Sequence, residues 1–157
     1  MGRPSRVLLL LLLLACPSST PSNGGLQYPP YPDGVASSGG GYLIEGGGTD
    51  YGIEWVHTPA GTQLWFARLI SHDASGAAVW RLVDTLSPPA HDSTRRLIGG
   101  QCTWHGELDQ EILALVADED AESLHTVFSA WRADRRKGRF IVLQPTGIVC
   151  VNEGYGG

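Results

Sequence analysis

The chain of 157 residues has no apolar run long enough to cross a bilayer: the longest, residues 7–15, holds nine residues, whereas a transmembrane helix needs about 20. It also lacks a G-x-S-x-G elbow, a Walker loop, an H-E-x-x-H pair, a haem-binding C-x-x-C-H and an EF-hand loop, which removes the common local signatures of hydrolases, nucleotide enzymes, zincins, cytochromes and calcium sensors. Gly39-Gly40-Gly41 and Gly46-Gly47-Gly48 are glycine-rich, yet no Lys-Ser/Thr follows either, so they read as loops and not as phosphate cradles. Basic residues are scarce, 11 Lys and Arg against 16 Asp and Glu. A chain with that balance and no basic arm is a poor nucleic-acid binder, because phosphate affinity comes mainly from Lys and Arg. No cofactor is expected, since no ligand set is legible: His57, His72, His91 and His125 are scattered.

What the chain does have begins at its amino end. Arg3 and Arg6 precede the run at residues 7–15, and the small Ala15 stands directly before Cys16, which is the layout of an export signal with a cleavage site. The tetrad Leu13-Leu14-Ala15-Cys16 resembles the lipobox of bacterial lipoproteins. That resemblance implies cleavage before Cys16, a diacylated thiol and a membrane anchor; an ordinary secretory signal cut a few residues later is the other reading. Both predict an exported protein, and the lipobox reading anchors it to a membrane facing the periplasm or thylakoid lumen, or at the cell surface. Losing residues 1–15 takes away two arginines and leaves the net charge two units more negative than the −5 of the whole chain.

The three cysteines would leave one odd thiol in an oxidising compartment. Once Cys16 goes to lipid or to the discarded signal, Cys102 and Cys150 form the one possible intramolecular pair, and a disulfide between them is expected to stabilise the fold by about 2–4 kcal/mol. A metal site using Cys102, His105 and Cys150 competes with that pairing, but a fourth ligand is not evident. Residues 16–41 are dominated by Pro, Gly and Ser and predict a tether; such a composition cannot bury enough apolar surface to offset its ordering entropy. Tyr28-Pro29-Pro30-Tyr31-Pro32 inside it also has the form of a polyproline II ligand.

Residues 42–157 then form a single globular domain. Residues 51–57, 62–72 and 77–86 read as strands, the last two joined by turn chemistry at Asp73-Ala74-Ser75-Gly76 and ended by Pro88-Pro89. Apolar residues on both faces of 62–72 predict that this hairpin is covered by other elements. Residues 111–117 read as a buried strand. Asp118-Glu119-Asp120 resemble a helix N-cap, and Ala121, Leu124, Val127, Phe128 and Trp131 follow at helical spacing. The bases Arg132, Arg135, Arg136, Lys137 and Arg139 would close that helix, with Gly138 just past its end. They are also the weak candidates for a partner-binding surface. Residues 139–143 and 147–151 complete the strands. The fold class expected is therefore α+β: a mainly antiparallel sheet with one principal helix packed on it, held by one disulfide.

His105, Glu107 and Asp109 are the weak candidates for catalysis, because a histidine with two nearby carboxylates can hold a metal or pass protons. From Cys102 onward, C-x6-D-x-E-I-L-A-L-V, then S-A-W-R-A-D at 129–134, G-R-F, and G-I-V-C-V-N-E-G-Y-G at 147–156 make a pattern that resembles small exported proteins of cyanobacteria. That group has no assigned activity, so the resemblance implies an exported lipoprotein and transfers no catalytic residue. The functional expectation is a membrane-tethered binding or assembly module of the cell envelope or thylakoid lumen, with a protein partner. A small metal- or His-dependent hydrolase is the alternative and a secreted inhibitor the third reading.

Overall fold

A computed structural model describes residues 25–48 and 50–156. In chain order the strands are β1 (Gln27–Tyr28), β2 (Ala36–Ile44), β3 (Tyr51–Thr58), β4 (Gly61–His72), β5 (Ala78–Leu86), β6 (Arg95–Gly99), β7 (Cys102–Trp104), β8 (Glu107–Leu108), β9 (Ile112–Ala117), β10 (Ser123–Leu124), β11 (Val127–Asp134), β12 (Arg139–Leu143) and β13 (Ile148–Val151). They make three antiparallel sheets, ordered β1-β5-β4-β3-β2, β12-β11-β9-β6 and β10-β13-β7-β8. The second sheet is the middle layer. Ile44, Ile53, Leu64 and Phe66 of the first sheet pack against Leu113 and Ala133 on one of its faces. Ile112, Ala114, Val116 and Ala130 on its other face meet Cys102, Leu124, Ile148 and Cys150 of the third sheet.

This layering explains why Ile112-Leu113-Ala114-Leu115-Val116 shows no polar alternation. Successive side chains of a strand point to opposite faces, and β9 has protein on both, so residues 112–116 are all buried. Burial of that kind stabilises by roughly 1.5–3 kcal/mol per large aliphatic side chain. Truncating Leu113 to Ala would open a void between two sheets, a change that typically costs about 2–5 kcal/mol.

The principal helix expected after residue 120 does not form: no described residue is helical, and the domain is all-β. Residues 127–134 are instead β11, paired on one edge with β9 and on the other with β12. The helical spacing was coincidental. Phe128, which it places on the buried face, is 43% exposed and lies under the Arg95 guanidinium, 4.2 Å from the ring centroid. The small Ala130 and Ala133 face opposite neighbouring layers, a requirement of a strand between two sheets that outweighs alanine's helix preference. Gly138 does adopt the left-handed conformation expected of a helix C′ residue, φ 62°, but it serves the turn of the β11–β12 hairpin. There its N–H donates to the Asp134 carbonyl at 2.8 Å, and Lys137 N–H donates to the Asp134 carboxylate at 2.8 Å. Asp118, expected to cap the helix, lies against Arg96 at 3.2 Å.

The boundary expected at residue 42 falls inside β2. Residues 16–24 of the expected tether, like the signal segment, lie outside the described residues. From residue 26 onward the chain is part of the fold: Tyr28 is 2% exposed and, with Leu26, Tyr31 and Val35, covers Val56, Trp65, Ala67 and Leu82 on the outer face of the first sheet. That segment is the cover which the two-faced apolar pattern of β4 calls for. Trp65 receives Tyr28 edge-on, with ring centroids 5.1 Å apart, a geometry that adds about 0.5–1.5 kcal/mol beyond area burial.

Cys102 and Cys150 are directly opposed in the β7–β13 ladder, joined by a disulfide and fully buried. The bridge crosses a sequence separation of 48 residues, so one covalent bond closes the third sheet over the chain that makes most of the middle layer. Cys102 is thereby removed from any metal site with His105.

Candidate functional site

The outer face of the first sheet carries a cleft of about 440 Å³ between the covering segment and the edge strand β2. Sheet register places its parts. Tyr28 and Trp80 are directly opposed in the β1–β5 ladder, and Gly41 and Glu54 in the β2–β3 ladder. Gly52 and Glu54 are two apart on β3 and so share the outer face. A Cβ on Gly52 would lie 3.4 Å from the Trp80 ring; with only hydrogen there, the indole rests against the strand. Gly41 is more tightly constrained, because its Cβ would stand 2.6 Å from the Ile53 carbonyl oxygen. The β2–β3 register shifts between Ser37 and Gly41, and Gly39 at that bulge has φ 78°. The glycine run is therefore an edge-strand bulge that lets the backbone floor approach β3.

Tyr31 Oη donates a 2.6 Å hydrogen bond to Glu54 Oε1, tying the covering segment to the sheet. Burial first and this hydrogen bond second push the Tyr31 phenol up to about 12. Burial, followed by the charge of Glu54, also raises Tyr28. Both phenols thus stay neutral at physiological pH and act as donors or as ring faces. Among the described residues Glu54 is the only charged one lining the cleft, and no described Lys, Arg or His lies within ion-pair distance of it.

The weak catalytic candidates do not converge. His105 and Gly106 are the two central residues of the β7–β8 hairpin, with φ 53° and 87°, the type I′ pattern that needs positive φ at both positions. The His105 ring lies over Gly147, whose Cβ would meet it at 2.7 Å, and the His105 backbone N–H donates to the Gly147 carbonyl at 2.8 Å. Glu107 is exposed beside it on β8. Asp109 is held elsewhere: its carboxylate pairs with Arg132 and accepts the Glu111 N–H at 3.0 Å. Among the described residues no group of three or more His, Cys, Asp or Glu is placed to hold a metal ion.

The expected basic surface is largely absorbed into structure. Arg135 Nε donates to Glu111 at 2.6 Å, and its Nη1 donates to the Glu45 and Gly46 carbonyls at 3.2 and 2.5 Å, stitching the β2–β3 loop to the middle sheet. Arg132 joins Asp109 and lies 4.9 Å from the Trp104 ring centroid. Lys137 faces Asp134 at 3.9 Å. Arg136 and Arg139 make none of the described ion pairs.

A second groove of about 760 Å³ runs between β2 and β6, lined in part by Trp55, Arg96, Gln101 and Glu153. Glu153 accepts from Gln101 at 2.9 Å. Arg96 lies 3.2 Å from Asp118 but out of line for a hydrogen bond, so the contact is an ion pair by proximity. The Glu54 cleft differs in holding a carboxylate and, among the described residues, no cation.

Sequence reasoning missed this cleft because Tyr31 and Glu54 are 23 residues apart and the former was assigned to a tether. The one available signal was the pair of tyrosines in a proline-rich segment lying next to a strand that needed a cover. No family model, no curated protein and no solved structure matches the chain.

Proposed function

We propose that this chain is a non-catalytic binding module, exported and held at a membrane surface through lipid on Cys16, which captures its ligand or partner in the cleft on the outer face of the first sheet. One observation carries the reading: Glu54 stands as a lone carboxylate among Tyr28, Tyr31 and Trp80, over a glycine floor. Such a mixture of apolar surface with a single directed polar group is what small-ligand sites are made of, and the volume falls within their usual range. The layout of residues 3–16 supports export and anchoring. The hydrolase reading draws no support from the positions of His105, Glu107 and Asp109.

Two measurements test it. The intact mass of the protein from its native membrane is expected to show cleavage before Cys16 and added acyl mass, and Cys16→Ser to move the protein to the soluble fraction. A thermal-shift panel of sugars, organic cations, organic anions and short peptides is expected to yield at least one stabilising compound whose effect disappears in Trp80→Ala. A panel in which no compound acts through Trp80 would remove the cleft as the recognition site.

A further inference from the structure

Resting on the reading of the cleft as the recognition site, we propose that its ligand is an organic cation, specifically an alkylated ammonium head group seated against Trp80 and Tyr31 and neutralised by Glu54.

The charge balance comes first. Among the described residues Glu54 is the one charged lining residue, and nothing basic approaches it. Tyr31 fills one lone pair of Oε1 with a 2.6 Å hydrogen bond, which fixes the carboxylate's orientation without cancelling its charge. An anionic ligand would be repelled by it. Calcium would need 6–8 oxygen ligands and finds one carboxylate.

The walls then choose among cations. Aromatic faces are negative and attract a cation lying within about 6 Å of the ring centroid, indole most strongly. Tyr31 and Trp80, both half-buried, supply those faces, each next to the buried Tyr28: the Tyr28 ring centroid lies 5.2 Å from that of Tyr31, and Trp80 is opposite Tyr28 in the β1–β5 ladder. A bare ammonium or inorganic ion would shed a tightly held hydration shell to reach these rings and would find one carboxylate in return. An alkylated ammonium is weakly hydrated, presents methyl or methylene groups to the rings, and needs from Glu54 only proximity. The floor fits the same occupant, since the exposed Gly39, Gly40 and Gly41 offer backbone and no side chains. A neutral sugar would also stack on Trp80, but it would leave the Glu54 charge unanswered.

The test compares three probes on the purified chain by tryptophan fluorescence and calorimetry: choline, its uncharged tert-butyl isostere 3,3-dimethylbutan-1-ol, and methyl glucoside. Choline is expected to bind saturably and at least about tenfold more tightly than the isostere, a factor of ten being 1.4 kcal/mol. Glu54→Gln, which keeps the shape and the acceptor for Tyr31, is expected to weaken choline by a similar factor while leaving the isostere unchanged. Equal binding of choline and isostere, or binding of methyl glucoside alone, overturns the cation assignment and leaves the cleft as a site. Failure of all three probes to act through Trp80 overturns the cation assignment too. If other classes in the wider panel also fail, the reading beneath it falls as well. The choline-to-isostere ratio is measured on the unaltered chain, so the proposal is tested even if a variant does not fold.

Discussion

Replacing both Cys102 and Cys150 by alanine removes a cross-link that spans a sequence separation of 48 residues. In the chain-entropy model a loop of that length gives up about 14 cal/mol/K of denatured-state entropy, or about 4 kcal/mol at 25 °C. Domains of ordinary size are stable by only about 5–15 kcal/mol, so the loss is a large share of the total. With a urea dependence of about 2 kcal/mol/M, the unfolding midpoint should fall by about 2 M. The assay is equilibrium urea denaturation followed by tryptophan fluorescence, in which Trp104, packed against the cluster that contains the bridge, reports on that region. Cys102→Ala alone should lose nearly as much as the double variant, because either change abolishes the cross-link. The bond is fully buried between two sheets, so native protein should also resist reductant until denaturant opens it. A double variant that loses less than about 1 kcal/mol, at the low end of measured disulfide contributions, would refute the reasoning. It would mean that the unbridged denatured chain keeps the β7–β13 region together.

Three further outcomes follow from the same geometry. Gly41→Ala, whose Cβ would press on the Ile53 carbonyl at 2.6 Å, should destabilise by about 1–3 kcal/mol as overpacking does; Gly40→Ala, with only the Ser38 hydroxyl at 3.7 Å, should leave thermal stability nearly unchanged. At the β7–β8 turn, His105→Asn should be tolerated and His105→Val should cost about 1–2 kcal/mol, because the left-handed conformation admits Asn and penalises β-branching; a loss on His105→Asn as large as on His105→Val would argue for a chemical role. The Tyr31 phenol rises from 10.0 to about 12 on folding, so its contribution is whole below pH 10 and is lost as pH climbs through about 12. The part of the phenolate absorbance that is lost in Tyr31→Phe should therefore be one that appears late and together with unfolding, and Tyr31→Phe should reduce the loss of stability across that window.

The parts legible from sequence were those where one local period dominated. Residues 51–57, 62–72 and 77–86 alternate or fill as strands do, and Asp73 at the intervening turn accepts N–H bonds from Ser75 and Ala77 at 2.8 and 2.9 Å, which is the turn chemistry its composition announces. The disulfide followed from cysteine arithmetic. Residues 121–131 defeated the same approach because Leu124, Val127, Phe128 and Trp131 satisfy a helical period, while the need for small residues at 130 and 133 comes from sheets that are distant in sequence. The acid-to-base gradient that pointed to a helix is divided among separate pairs between residues distant in sequence: Asp118 with Arg96, Arg132 with Asp109, and Arg135 with Glu111. Residues 26–41 read as a tether from Pro, Gly and Ser content alone, but four apolar anchors, Leu26, Tyr28, Tyr31 and Val35, suffice to hold such a segment down when a sheet face is waiting for them. The candidate site was illegible for that reason: half of it lies on the misread segment, and the His105 motif that drew attention instead is a hairpin turn.

The most direct test of the cleft as the site of an organic cation is an amide and indole NMR map of the chain titrated with choline. Shifts concentrated at Gly39, Gly40, Gly41, Gly52 and the Trp80 indole, with His105, Glu107 and Asp109 silent, are the predicted result. Shifts centred on His105 and Asp109, or none at the Trp80 indole, would contradict it.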